Sequence, residues 1–230
     1  MAWDNRFLDS LPSQQLALLE PGLRRHTVTR DQLLAEVGRP VAQAVFPINC
    51  VISVVAVMHD GRQIETRTIG RESGYGLLHA LGSRYSYERV TAQIGGEAWR
   101  LPIEALANAA ATSPALVRRI VQRAQATLVQ TAQSTACNTL HPVDQRLCRW
   151  LLITHRRLGS DVLPLTQEHL AIMLGVQRTT VTAAASELQA SGAIAYSRGR
   201  ITLLDFAALL SRSCECYDAI EDAGQRVLDD

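Results

Sequence analysis

The segment LTQEHLAIMLGVQRTTVTAA (165–184) constrains the fold most strongly, because its pattern predicts two short helices joined by a tight turn. Thr166 can act as the N-cap of a helix over about 167–174, since its hydroxyl can accept a hydrogen bond from a free N–H of the first turn. Gly175 is expected to end that helix, because glycine adopts the left-handed conformation at little cost. A second helix is predicted over 178–190.

The spacing within this segment is that of a helix-turn-helix. Ala171 is a small residue where the two helices would touch, and Val181 is an apolar residue that would hold the second helix against the first. The N-terminal part of such a second helix enters the major groove of DNA; the alternative is an ordinary helical hairpin inside a core. The predicted DNA contacts are Thr166, Gln167, Gln177, Arg178, Thr179, Thr180 and Thr182.

A β-hairpin is predicted directly behind the second helix. Residues 193–196 and 201–204 are largely apolar, and the polar turn 197–200 between them contains a glycine. A hairpin in this position is typical of a wing, which would place Arg198 and Arg200 against DNA phosphates. The alternative is a solvated turn that carries two charges.

Charge is distributed unevenly along the 230-residue chain, whose formal net charge is only +1. Residues 113–139 and 140–204 each carry a net charge of +3, whereas residues 205–230 carry −5. The positive charge therefore lies in the region that would contact DNA. No segment is apolar over the length of a membrane span and the N-terminus lacks a signal pattern, so we expect a cytoplasmic protein with no membrane partner.

Short strands dominate the N-terminal half after two helical pieces, which are predicted over 8–19 and 27–37. The strands are separated by glycine-containing turns, and little helix lies between them, which is typical of a small β-barrel or sandwich. A glycine-rich segment, 70–82, is a candidate ligand loop. The predicted strands are 44–47, 50–58, 63–69, 89–93 and 98–101, with a hairpin turn at 59–62.

One long helix is predicted over 114–138, and His141-Pro142 is expected to mark a domain boundary. Residues spaced by four and three along this helix form a partly apolar seam, which favours a homodimer over packing within the chain. The predicted domains are therefore 1–112 (sensory), 113–139 (dimerisation helix) and 140–230 (DNA-binding), with an amphipathic helix over 143–158 and an acidic helical tail. The dimerisation residues would be Val117, Val121, Ala124, Leu128, Thr131 and Thr135.

The order of these parts resembles the Crp/Fnr family of bacterial transcription regulators, which includes the cyclic-AMP receptor protein. The resemblance implies an α+β fold with an N-terminal jelly-roll barrel of the cyclic-nucleotide-binding type, a dimerisation helix and a C-terminal winged helix-turn-helix. It also implies a homodimer on a palindromic operator, no enzymatic activity, and RNA polymerase as a further candidate partner. It rests on LTQEHLAIMLGVQRTTV (165–181), AVFPINCVIS (44–53), DGRQIE (60–65), IGRESGYGL (69–77) and ERVTAQ (88–93).

Several residues depart from the family pattern at the effector site. Gly76-Leu77 stands where family members that bind cyclic AMP have Gly-Glu, and Arg89-Val90 matches only the arginine of the phosphate-binding pair. These four positions are the predicted effector-binding residues. Cyclic AMP is disfavoured, the effector is unidentified and no cofactor is predicted; Arg89 is expected to pair instead with a neighbouring acid.

The recognition helix departs as well. Thr179 and Ala183 replace the family's usual Glu and second Arg, which predicts a different operator sequence.

The five cysteines are scattered and odd in number, which argues against a disulfide framework. No cysteine precedes Cys50, so the family's N-terminal iron–sulfur site is not expected. Cys214 and Cys216 could bind a metal or respond to oxidation, but two cysteines on an acidic tail are more often neither, and no metal site is predicted.

Two rival functions remain open. A jelly-roll metal-dependent enzyme would need clustered histidines on the barrel strands, where only His59 and His79 occur. A winged helix used for protein contacts would keep the same fold without DNA binding.

Overall fold

A computed structural model describes residues 3–229, with side chains to residue 226. Two antiparallel sheets face each other in the N-terminal half and enclose a core rich in Leu, Val and Ala. One sheet has the strand order β1-β7-β3 and the other β2-β6-β4-β5. The strands are β1 Arg24–Val28, β2 Leu33–Ala35, β3 Gln43–Pro47, β4 Val51–Val57, β5 Gln63–Ile69, β6 Arg89–Ile94 and β7 Gly96–Pro102.

The prediction of a helical piece over 27–37 is wrong, since this region contributes to strands β1 and β2. Strand β1 pairs with β7 from Arg24 opposite Arg100 to Val28 opposite Gly96, and β2 pairs with β6. These partners are more than 50 residues distant, so pairing across the fold overrides the weak local pattern of RRHTV. The helical piece over 8–19 is observed as α1 Arg6–Asp9 and α2 Ser13–Leu19.

Strand β4 is buried on both faces, which explains why VISVVAV does not alternate between apolar and polar residues. Ile52 and Val54 belong to the core between the sheets. Val51 belongs instead to a second core formed mainly by the C-terminal domain, together with Ile94 of β6. The barrel therefore packs its β4 sheet directly against the C-terminal domain.

Two helices connect the halves: α3 Ile103–Thr112, which the sequence analysis did not predict, and α4 Pro114–Leu140. Ser113 caps α4, because its side chain accepts a hydrogen bond from the N–H of Leu116 at 3.2 Å. The residues of α4 that are buried within the chain mostly lie one position before the residues of the predicted dimerisation seam. It comprises Leu116, Ile120, Arg123, Ala126, Gln130, Ser134 and Cys137.

The predicted dimerisation seam lies on a more exposed side of α4. Leu128 is 70% exposed and Val121 is 44% exposed, although both are apolar. Val117, Ala124 and Thr131 are half-buried, and Thr135 is exposed. No other part of the described chain covers Leu128, so the dimer remains a prediction that this surface permits.

The C-terminal domain packs its helices around a three-stranded sheet of order β8-β10-β9. The predicted amphipathic helix is observed as α5, with Leu147, Trp150, Leu151 and Ile153 buried. The last helix, α9, returns to pack along α4. The elements are α5 Val143–Leu158, β8 Val162–Leu163, α6 Gln167–Leu174, α7 Arg178–Ala190, β9 Ile194–Ser197, β10 Arg200–Leu203, α8 Phe206–Arg212 and α9 Cys216–Asp229.

Candidate nucleic-acid interface and effector cavity

The two helices and the turn of the helix-turn-helix lie where the sequence predicts them. Thr166 Oγ1 accepts a hydrogen bond from the N–H of His169 at 3.2 Å and so caps α6. Gly175 ends α6 with a φ of 64°, and the N–H of Val176 then donates to the carbonyl of Ala171 at 3.0 Å. These contacts fix the angle at which α7 leaves the turn.

Helix α7 is held by its apolar side and presents its polar side to solvent. Val181 and Leu188 are at most 1% exposed and join the C-terminal core. Gln177, Arg178, Thr179 and Thr180 are exposed at the start of α7. The structure therefore brings the predicted base-reading residues together on one uncovered helix end.

A side-chain hydrogen bond joins the two helices of the motif. Thr182 and Gln167 are both half-buried, and the hydroxyl of Thr182 donates to Gln167 Oε1 at 2.8 Å. These two residues are therefore partly engaged with each other, which leaves them less free for DNA than the exposed residues of α7.

The wing is a hairpin with a two-residue turn. Arg198 and Gly199 have φ angles of 50° and 73°, the signs required for the turn type that best matches the strand twist. Strand β8, which the sequence analysis missed because it has only two residues, pairs with β10 and supports the hairpin. A Cβ at Gly199 would lie 3.4 Å from Thr166 Cγ2, so the wing tip sits beside the start of α6.

The arginines of this surface retain uncompensated charge. Arg178, Arg198 and Arg200 are exposed, and none of them forms an ion pair with a carboxylate of the described chain. Unpaired guanidinium groups beside a free helix N-terminus can bind phosphate oxygens and guanine edges. The surface thus has the chemistry that DNA contact requires.

A separate cavity of about 730 Å³ lies between the glycine-rich loop and α4. Its size is in the range typical of small-molecule sites. Gly76 has a φ of 93°, and a Cβ there would come within 2.9 Å of the Ala44 Cα, so the loop needs glycine at this point. Leucine side chains line much of the cavity, and Val121, Ala124 and Thr127 of α4 close one side.

The cavity wall contains two arginines, Arg67 and Arg123, of which only Arg67 is paired with a carboxylate. Arg67 makes two hydrogen bonds to the Glu88 carboxylate, at 2.6 and 2.7 Å. Arg123 of α4 is only 4% exposed, and its Nε and Nη1 have no hydrogen-bond partner among the described residues. Burial lowers the pKa of the Arg123 guanidinium. A buried arginine with unsatisfied donors is a candidate group for binding an anion.

The four predicted effector residues are not brought together. Gly76 and Leu77 line the cavity, whereas Arg89 and Val90 do not. Arg89 Nη2 lies 2.9 Å from Glu36 Oε2, which confirms the expected ion pair, and Val90 is fully buried in the barrel core. Arg123 was not among the predicted site residues, although its spacing places it on the buried face of α4.

A buried carboxylate joins the barrel to the DNA-binding domain. Glu65 of β5 accepts hydrogen bonds from Ser53 Oγ at 2.6 Å, Gln93 Nε2 at 3.0 Å and Trp150 Nε1 at 2.9 Å. Burial raises the pKa of Glu65 to about 7, and the hydrogen bonds from Ser53 and Trp150 offset only part of this effect. The domain contact thus contains a group that titrates near neutrality.

The loop that follows β5 also contacts the DNA-binding domain. A Cβ at Gly70 would overlap the Cβ and Cγ atoms of Arg157 on α5, so only glycine fits this approach. The Arg157 Nε also lies 3.2 Å from the Glu72 carboxylate.

No described helix has both the length and the apolar character needed to cross a membrane.

Comparison with known proteins agrees with this geometry. Residues 145–212 match the Crp-like helix-turn-helix domain family. The global nitrogen regulator of Synechococcus elongatus is 24% identical over 181 residues, which cover 75% of this chain and 82% of that protein.

Two solved structures share the fold of most of this chain. FixK2 from Bradyrhizobium japonicum has a TM-score of 0.71 at 17% identity, covering 84% of this chain and 98% of that one. A Crp-family transcription regulator from Thermus thermophilus has a TM-score of 0.68 at 19% identity, covering 83% and 96%. Residues 145–212 therefore form a Crp-like helix-turn-helix domain, and the chain as a whole shares the fold of these solved structures.

Proposed function

We propose that this protein is a cytoplasmic, homodimeric, non-enzymatic regulator that binds a palindromic operator through α7 and the wing. The observation that carries the proposal is the exposed start of α7, where Arg178 stands beside two threonines and forms no ion pair with a described carboxylate. Arg178 would read a guanine and the wing arginines would hold phosphates. RNA polymerase is the further partner we propose for a regulator of this kind.

Binding to duplex DNA with single-residue variants tests this proposal. We expect Arg178→Ala to weaken binding to the selected operator by roughly 10- to 100-fold, the usual value of one base-reading pair. Arg30→Ala is the matched control, because Arg30 is an exposed arginine of the barrel and should leave binding unchanged. Equal binding by Arg178→Ala and the wild type would favour the protein-contact alternative.

The dimer would form along the exposed seam of α4. Its two recognition helices must reach adjacent major grooves, about 34 Å apart. We expect Leu128→Glu to produce a monomer in analytical ultracentrifugation, because it places a charge in the middle of the seam. Val129→Glu is the control, since Val129 is also exposed but points about 100° away around the helix. A dimer in both variants would place the interface elsewhere.

We further propose that the cavity beside α4 binds the effector. The leucine-rich wall and the unsatisfied Arg123 favour a small molecule with an apolar body and an anionic group. Val121 and Ala124 line this cavity and also belong to the predicted seam, so a bound molecule would bias the dimer geometry directly. Of the four residues predicted from the sequence, Gly76 and Leu77 are the two that support this site.

Thermal-shift measurements with anionic metabolites and cyclic nucleotides test the effector proposal. We expect a hit to raise the melting temperature of the wild type, and Arg123→Gln to reduce the shift. A hit whose shift is unchanged in Arg123→Gln would contradict the role of Arg123 as the anion-binding group.

A further inference from the structure

Three cysteines and one histidine meet at the junction between α4 and the C-terminal domain. They come from two segments. Cys137 lies in the last turn of α4 and His141 directly follows that helix, whereas Cys214 lies between α8 and α9 and Cys216 is the first residue of α9. The ligand atoms of all four side chains lie within 4.8 Å of one another. The three cysteines form a small buried cluster of their own, apart from both hydrophobic cores.

Two distances within the cluster are close to those between neighbouring ligands of one tetrahedral metal ion. The Sγ atoms of Cys137 and Cys214 are 3.5 Å apart, and Cys216 Sγ lies 3.4 Å from His141 Nδ1. Zinc–ligand bonds of about 2.0–2.3 Å place two neighbouring ligand atoms about 3.5–3.8 Å apart in a tetrahedron. The set is thus compact enough for a single ion.

The groups around the cluster orient its donor atoms. His141 turns Nδ1 towards the cysteines, while its Nε2 lies 3.2 Å from the Glu215 carboxylate. A carboxylate on the far nitrogen of a histidine fixes the ring and leaves the near nitrogen free to bind a metal. Gln133 Nε2 also donates to Cys216 Sγ at 3.2 Å, a contact that favours a thiolate sulfur.

Two buried arginines stand beside the cluster. Arg146 and Arg149 of α5 are each only 6% exposed, and neither forms an ion pair within the described chain. Their charges act on the Cys137 thiol. Three thiolates and one divalent cation carry a net charge of −1, which would compensate part of this buried positive charge.

We propose that Cys137, His141, Cys214 and Cys216 bind one zinc ion in a Cys3His site. All four positions of the tetrahedron are filled by the protein, which is the arrangement of a structural rather than a catalytic zinc. The ion fastens the connection before α9 to the end of α4, where the dimerisation helix turns into the DNA-binding domain. Removal of zinc therefore loosens the α8–α9 connection from that turn.

Metal binding to the full-length reduced protein tests the site directly. After chelator treatment, zinc addition and buffer exchange, we expect one zinc per chain by elemental analysis. Cobalt substitution should give the visible bands of a tetrahedral ion with thiolate charge transfer. Zinc should also slow tryptic cleavage after the exposed Arg212, two residues before the first ligand of the tail.

Three variants separate ligand loss from misfolding. Cys214→Ser should abolish the cobalt bands, whereas Cys148→Ser, which removes a buried cysteine outside the cluster, should retain them. Glu215→Gln changes an exposed side chain and should weaken zinc binding about 10- to 100-fold while leaving the fold intact. The proposal would be overturned if the reduced wild type took up no stoichiometric zinc. It would also be overturned if these cysteines bound no metal and formed only a Cys137–Cys214 disulfide on oxidation.

Discussion

The buried Glu65 makes the stability of the protein depend on pH in a direction opposite to that of most carboxylates. Its pKa is raised from 4.5 to about 7 in the folded protein, mainly by burial. Between these two values the folded state holds a proton that the unfolded state releases. The contribution of Glu65 to the free energy of unfolding is therefore highest below pH 4.5, and it falls as the pH rises towards 7.

The size of this effect follows from the shift. Each pKa unit corresponds to about 1.4 kcal/mol, so a shift of two to three units is worth about 3 kcal/mol. Glu65→Gln keeps a side-chain oxygen that can accept from Trp150 and removes the titrating proton. We expect the variant to lack this pH-dependent loss and to be more stable than the wild type at pH 8.

Chemical denaturation of both proteins at pH 5, 6, 7 and 8 measures the difference. Comparison with Glu65→Gln cancels the titration of every other group that the two proteins share. The difference in unfolding free energy should change by about 2.5 kcal/mol across this range. Parallel curves for the two proteins would refute the argument that burial controls this carboxylate.

Two further predictions concern the wing and the domain contact. Arg198→Asn should stabilise the fold by about 1 kcal/mol, because asparagine tolerates positive φ better than arginine; it should also weaken DNA binding and reduce the salt slope by about 0.9. Denaturation and salt titration check these two outcomes, and no gain in stability would contradict the strain argument. Gly70→Ala should destabilise the protein by about 1–3 kcal/mol through its collision with Arg157. Gly82→Ala is the control, because a Cβ there would make only a 3.6 Å contact. Thermal melts of both variants should show a loss of stability for Gly70→Ala and almost none for Gly82→Ala.

The helix-turn-helix could be predicted from sequence because its signals are local. Thr166 acts through a cap three residues away, Gly175 through its own positive φ, and Val181 through a packing contact within the same motif. Strand β5 could also be predicted from its alternation, but the expected single wet face is not observed, because Glu65 and Thr68 are buried while Ile64 is only half-buried. The wing followed from two apolar segments around a turn that contains Gly199.

The remaining features depend on contacts between distant segments. Strand β1 is held by β7, more than 60 residues later in the chain, and its own residues are mostly exposed. Arg89 resembled a ligand residue by sequence, but the partner that defines it, Glu36, comes from another part of the barrel. The cluster around Cys137 joins residues up to 79 positions apart, so spacing alone could not reveal it.

Selection from a random duplex-DNA pool tests the central claim most directly. Purified protein should enrich a palindrome whose half-sites are about one helical turn apart, and Arg178→Ala should lose that enrichment. The same selection with cyclic AMP should return the same site, since Leu77 replaces the carboxylate that cyclic-AMP-binding relatives carry. An enriched site that Arg178→Ala binds as tightly as the wild type, or a site without two-fold symmetry, would contradict a dimer that reads DNA through α7.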